Sequence, residues 1–217
     1  AWSRSFVLLF VGLVEGLEQP VGALAAVAAE DRHRSILEGP VPEPLPDLAV
    51  LLEDTLATHA ALPALECGGE VITYGALAEQ ARCDDGDRVA IIATDHPVRR
   101  VIGALAALRA GRILALIDPA LPEARQARMR DILGTVSDEE DGAYIQFTSG
   151  STGTPKAALL GREGLASLIR TIGRDLSIQP GSRVLQLAAP AFDAWVWEVF
   201  TTLGSGGTLV LADREDL

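Results

Sequence analysis

Thr148-Ser149-Gly150-Ser151-Thr152-Gly153-Thr154-Pro155-Lys156 follows directly on Ala143-Tyr144-Ile145-Gln146-Phe147. The apolar five read as a buried strand. Gly150 and Gly153 let the backbone turn through positive φ and approach a ligand closely. Backbone N–H groups gathered into one concavity make an anion nest, and the hydroxyls of Thr148, Ser149 and Ser151 add donors. Lys156 adds the compact positive charge that suits a phosphate. The stretch is therefore expected to grip a polyphosphate. A plain surface turn between two strands uses the same residue types, so spacing alone leaves both readings open.

On the N-terminal side, residues 88–93 read as a buried strand and residues 113–117 as a second. Between them runs a helix with Pro97 near its start and Gly111 just past its end, the usual helix asymmetry. Val98, Val101, Ile102, Leu105 and Leu108 give that helix its buried face. Strand, helix and strand with continuous apolar strands predict a βαβ unit in a parallel sheet covered on both faces. A further helix is expected over 122–133, ending at Gly134. Upstream, Asp47 caps a predicted helix over 47–59, with a stripe at Leu48, Leu51, Leu52 and Leu56. Gly68-Gly69 joins two short strands as a hairpin, and Thr73 caps the helix that follows. Downstream, strands at 157–160, 183–187 and 208–211 alternate with helices at 163–176 and 194–203. The class is α/β, with mostly parallel sheets and helices on both faces.

Pro40, Pro42, Pro44 and Pro46 fall at every second residue. No helix or central strand survives that spacing, so a semi-rigid linker and a domain boundary are expected there, dividing 1–38 from 39–217. Residues 4–18 have near-helical apolar spacing. The apolar run 6–14 after Arg4 also has the outline of a signal peptide, but Glu15 and Glu18 interrupt it before any cleavage site. It is too short to span a bilayer. A net charge of −12 argues against nucleic-acid or anionic-membrane partners. Cys67 and Cys83 have no metal-ligand spacing, which points to a reduced, cytoplasmic compartment. His33 reads as part of a solvated charged turn.

The stretch 148–156 is not a Walker A loop. Pro155 comes five residues after Gly150, and Ala157 follows the lysine. It resembles the phosphate-binding signature of the adenylate-forming superfamily, departing at Ala157, where glycine is usual. The order of motifs is similar to that of a nonribosomal peptide synthetase adenylation domain. ITYGALAEQA (72–81), LRAGRILALIDPALP (108–122), GAYIQFTSGSTGTPK (142–156) and AFDAWVWEVF (191–200) stand for its first four core motifs. Residues 1–38 resemble the tail of a condensation domain and the linker after it. The resemblance implies the large N-terminal subdomain, incomplete, of an enzyme that turns amino acid and MgATP into aminoacyl-AMP and pyrophosphate. The acyl group then passes to a phosphopantetheine thiol on a carrier-protein domain, with a condensation domain as neighbour. Thr148, Ser149, Gly150, Ser151, Thr152, Gly153 and Lys156 are then the ATP-phosphate residues, with Thr148 and Lys156 catalytic. The resemblance puts the Mg²⁺ ligands beyond Leu217 and no metal ligand within the chain.

Asp193 opens a predicted helix, with Val196, Trp197 and Phe200 on its face at i+3, i+4 and i+7. A carboxylate at the edge of an apolar face suits a substrate ammonium group, and it equally suits a helix cap. The resemblance assigns Asp193 to the amino group, with Ala194 and Trp197 as the next pocket positions. Trp197 as plain core remains the other reading, and Trp195 reads as packing. An Asp-Ala-Trp opening resembles pockets for large apolar amino acids. The chain is short for the family between Gln80 and Asp84 and between Leu133 and Gly142. Two alternatives stand: an acyl-CoA-synthetase-like enzyme that shares the phosphate loop and activates a carboxylate without an amine, needing no Asp193, and, motivated by the two short stretches and Ala157, a non-catalytic scaffold. Alone, the chain is expected to be inactive.

Overall fold

The structure, a computed structural model, describes residues 45–82, 86–137, 141–149 and 155–212. They belong to one compact unit that begins at Leu45. The expectations for residues 1–44, for Cys83 and for Gly150 to Thr154 lie outside the described residues.

Helix α1 is Leu48–Thr58, opened by Asp47, whose carboxylate accepts from Ala49 N at 2.8 Å. Its leucine stripe, Leu48, Leu51, Leu52 and Leu56, is buried as the spacing predicts. Strands β1 (Pro63–Cys67) and β2 (Glu70–Thr73) form an antiparallel hairpin. Gly68 and Gly69 take φ of 55° and 83°, a region that glycine enters without steric cost. Helix α2 (Tyr74–Gln80) starts where the Thr73 hydroxyl accepts from Ala76 N at 3.2 Å. Strand β3 (Val89–Ile92), helix α3 (Pro97–Arg109) and strand β4 (Ile113–Leu116) make the expected βαβ unit, with β3 and β4 parallel. Helix α4 (Glu123–Leu133), strands β5 (Tyr144–Ser149) and β6 (Pro155–Leu160), and helix α5 (Arg162–Asp175) follow. The described chain closes with β7 (Arg183–Gln186), α6 (Asp193–Gly204) and β8 (Thr208–Leu211).

The strands form two four-stranded sheets, in the orders β2-β1-β8-β7 and β3-β4-β5-β6. Each sheet is parallel but for one antiparallel strand, β2 in the first and β6 in the second. The second sheet is covered on both faces. Leu114, Leu116 and Tyr144 share a core with Val101, Leu105 and Leu108 of α3 and Val196 and Phe200 of α6. Alternate residues, Ile113, Ala115, Ile117 and Ile145, pack on Met129 and Leu133 of α4. Side chains on a strand alternate faces, so a single apolar strand fills two cores.

Strand β3 is less buried than its sequence suggests. Only Ala90 is fully buried, and Ile91 is 36% exposed. An apolar run cannot tell an edge strand from a central one, and β3 is an edge.

Two polar devices tie the layers together. The buried Tyr74 hydroxyl donates to Gly207 O at 2.6 Å, with Leu203 O at 3.0 Å. Arg109 at the end of α3 pairs with Glu53 of α1 at 2.6 Å and donates to Ala78 O and Ala81 O.

Candidate active site

Strands β5 and β6 pair Thr148 with Lys156 and Ser149 with Pro155. Directly opposed residues of an antiparallel pair point to one face, with Cβ atoms about 5 Å apart. The Thr148 hydroxyl and the Lys156 ammonium therefore share a face at the mouth of the hairpin, and both residues are exposed. Tyr144 and Gln146 lie on that same face by alternation. The mouth is at the carboxyl end of β5. β3, β4 and β5 run parallel, and ligands of parallel α/β sheets gather outside the carboxyl ends of the strands. Gly150, Ser151, Thr152 and Gly153 lie outside the described residues.

Helix α6 reaches the same face. Its N-cap is Phe192, which is 63% exposed and makes no side-chain capping bond. Asp193 is the exposed first residue of the helix. Its carboxylate accepts no hydrogen bond among the described residues. Its charge reaches Tyr144, whose phenol is held above its ordinary pKa, first by burial and then by the Asp193 carboxylate. Val196, one turn into α6 from Asp193, shares a core with Tyr144, so α6 packs against the Tyr144 face of β5, which is the face carrying Thr148 and Lys156. The expected apolar stripe of α6 divides by depth. Val196 and Phe200 are 2% and 0% exposed, whereas Ala194 and Trp197 are half-buried. Trp195 is the tryptophan sealed in the core, edge-on to Phe200 with ring centroids 6.5 Å apart.

Two residues that sequence reasoning passed over hold the β7–α6 loop. The Glu198 carboxylate on α6 accepts from Gln186 Nε2, Leu187 N and Ala188 N at 3.0, 3.1 and 3.0 Å. Gln146 Nε2 donates to Ala191 O at 2.7 Å. The signal for Gln146 was available, because it is the one amide in the apolar run before Thr148. A polar group among buried neighbours needs a partner. A cavity of about 30 Å³, room for about one water molecule, lies beside it, lined in part by Asp118, Tyr144, Gln146 and Ala191. A wider cleft of about 750 Å³ runs past Asp95, His96, Asp118, Gln186, Ala189 and Pro190. It joins the carboxyl ends of strands from both sheets.

Residues 133–217 match the family described as AMP-binding enzyme. CmlP, a non-ribosomal peptide synthetase of Streptomyces venezuelae, is 32% identical over 223 residues, covering 79% of this chain and 23% of that protein. An isonitrile lipopeptide synthase of Streptomyces coeruleorubidus is 30% identical and covers 92% of this chain and 17% of its own length. The chain belongs to the AMP-binding enzyme family. Within this family, it is part of an adenylation domain of nonribosomal peptide synthetase type. Solved structures agree on the fold. The synthetase FmoA3 aligns over 96% of this chain and 28% of its own, with a TM-score of 0.73 at 22% identity. The N-terminal subdomain of Klebsiella oxytoca NpsA aligns over 77% of this chain and 54% of its own, with a TM-score of 0.63 at 22% identity. The chain thus spans less than a quarter of the length of the curated relatives just named.

Proposed function

We propose that this chain contributes the triphosphate grip and the amine-binding helix of an adenylation domain that activates an amino acid for nonribosomal peptide synthesis. The observation that supports it best is the shared face of β5. Thr148 and Lys156 stand opposed at its carboxyl end, and Gln146 of the same strand is hydrogen-bonded to Ala191, two residues before Asp193. In this reading the substrate carboxylate oxygen attacks the α-phosphorus of ATP. A new P–O bond forms to the carboxylate, the bond to the β-phosphate bridge breaks, and pyrophosphate leaves. Lys156 and the hydroxyls of Thr148, Ser149, Ser151 and Thr152, with the amides at Gly150 and Gly153, stabilise the charge that builds on the leaving group. Asp193 holds the substrate ammonium group and so aims its carboxylate, while Ala194 and Trp197 border the side-chain pocket. An Asp-Ala-Trp opening suits a large apolar side chain.

Mg²⁺ bound with the nucleotide would spread the triphosphate charge further. Among the described residues no group of three His, Cys, Asp or Glu side chains is disposed to hold a metal, so we assign it no ligand there. In the second half-reaction a phosphopantetheine thiolate on a carrier domain attacks the acyl carbon, and AMP departs. The structure of PA1221, containing adenylation and PCP domains, is among the folds this chain resembles. FmoA3 is also known in an AMPPNP-bound form. Both fit a nucleotide-using enzyme with a carrier partner. A neighbouring condensation domain and a cytoplasmic setting complete the proposal. Among the described residues no helix is long and apolar enough to cross a membrane.

The test is amino-acid-dependent ATP–pyrophosphate exchange by the full-length protein. Exchange with an apolar amino acid is expected. Exchange with the corresponding amine-free acid at equal efficiency would overturn the role of Asp193, and exchange with neither would overturn the function.

A further inference from the structure

We propose that Gln146 is a positioning residue that sets the amine-binding carboxylate from the phosphate-gripping strand. The inference rests on the function proposed above and goes beyond it by naming a link between its two half-sites. Gln146 sits on β5, two residues before Thr148 and on the same face. Its Nε2 donates to Ala191 O at 2.7 Å, across 45 residues of sequence. Ala191 is two residues before Asp193.

The loop between β7 and α6 is otherwise fixed at its far end. Glu198 holds Leu187 and Ala188. A tight turn closes Phe192 N on Ala189 O at 3.0 Å. Neither contact ties the loop to β5, and no second hydrogen bond does so among the described residues. Since Phe192 brings no side-chain cap to α6, the angle at which Asp193 leaves the loop depends on where Ala191 is pinned. An apolar residue at position 146 would fit the strand pattern, but it would leave Ala191 O without that donor. A shift of about an ångström in a charge-aiming group is enough to cost reactivity.

The experiment compares wild type, Gln146→Met and Gln146→Glu in the full-length protein. Methionine keeps the length and removes the donor. Pyrophosphate exchange is read as separate KM values for amino acid and for ATP. The expected result for Gln146→Met is a rise in amino-acid KM of roughly 3- to 10-fold, the worth of one hydrogen bond, with ATP KM unchanged. Glutamate has no donor when ionised and regains one when protonated. Its deficit should therefore shrink between about pH 6 and about pH 4, as pH falls through the ordinary glutamate pKa of about 4.3, while that of methionine stays flat. An unchanged amino-acid KM, equal rises in both KM values, or two variants with the same pH profile would each overturn the inference. A second readout does not depend on activity. Hydrogen exchange at the amides of residues 192–195 should quicken in Gln146→Met, and unchanged protection there counts against the strap. If the wild type shows no exchange activity with any amino acid, the proposed function fails. The strap is then judged by hydrogen exchange alone.

Discussion

Among the described residues the fold contains two hairpins built to different ends. Strands β1 and β2 are joined by Gly68 and Gly69 alone, both at positive φ. Two such residues are the least chain that can reverse an antiparallel pair without splaying it. β1 then lies in the interior of its sheet, paired on one side with β2 and on the other with β8. Strands β5 and β6 are closed instead by Ser149 and Pro155, with residues 150–154 between. Proline has no N–H to give to the ladder. Most of β6 is exposed, and it lies at a sheet edge. The first hairpin is as short as folding permits. The second carries extra chain, hydroxyls and a lysine that packing does not require. Surplus of that kind on a rigid strand end is where binding residues are expected.

The comparison breaks most clearly at Lys156. Lys156→Met should lower the exchange rate by about 10²- to 10³-fold, as for other donors aimed at a charged transition state. Because the side chain is exposed, unfolding stability should move by no more than about 0.5 kcal/mol. A large loss of melting temperature with the rate intact would make the second hairpin structural after all. Asp193→Asn comes next. Loss of a charge-assisted pair should raise the amino-acid KM by about 10- to 100-fold, measured beside an unchanged ATP KM. The first hairpin should answer in the opposite way. Gly69 is at φ 83° with nothing within 4 Å of an added Cβ. Gly69→Ala therefore has room and meets only backbone strain, about 1–2 kcal/mol. Chemical denaturation should read that loss, and exchange at 25 °C should not change.

What the sequence disclosed follows the same division. Helix starts at Asp47 and Thr73, the Gly68-Gly69 turn and the leucine stripe of α1 are local chemistry, and each is written within a few residues. The stretch 148–156 marks the family because its residue types repeat a known signature, and its grip on phosphate is the proposal made above. What stayed hidden needed two distant segments at once. β3 looked like a buried strand because an apolar run does not say which strand will be its neighbour. The opening of α6 left Asp193 as either cap or ligand, and only the fold gives the N-cap position to Phe192. Glu198 reads as a surface charge on a helix until its three donors from the preceding loop come into view. Gln146 was noticeable as an amide among apolar residues, but its partner is 45 residues away.

The last expected effect belongs to the frame around the first hairpin. Tyr74 follows β2 directly and is fully buried, and its hydroxyl ties α2 to the carbonyls of Leu203 and Gly207. Burial pushes its phenol pKa above the ordinary value, because a phenolate there would lose water and face two carbonyl oxygens. The unfolded chain therefore releases this proton at about pH 10, before the folded protein does. Below that pH the contribution of Tyr74 is fully present. Above it the native state holds more protons than the unfolded state, so stability falls as pH rises, until the folded pKa is passed. The loss should be under about 1 kcal/mol at pH 10.5 and should approach about 1.4 kcal/mol for each further pH unit. Other groups titrate in the same range, so the measurement is the difference between wild type and Tyr74→Phe. The variant is expected to be less stable at neutral pH by about 1–3 kcal/mol, since the buried Gly207 carbonyl loses its donor. The gap between the two proteins should narrow from about pH 10 upward, because only wild type has this proton to lose. A gap that stays constant through pH 11 would mean that the hydroxyl is solvated and that Tyr74 does not anchor the first hairpin.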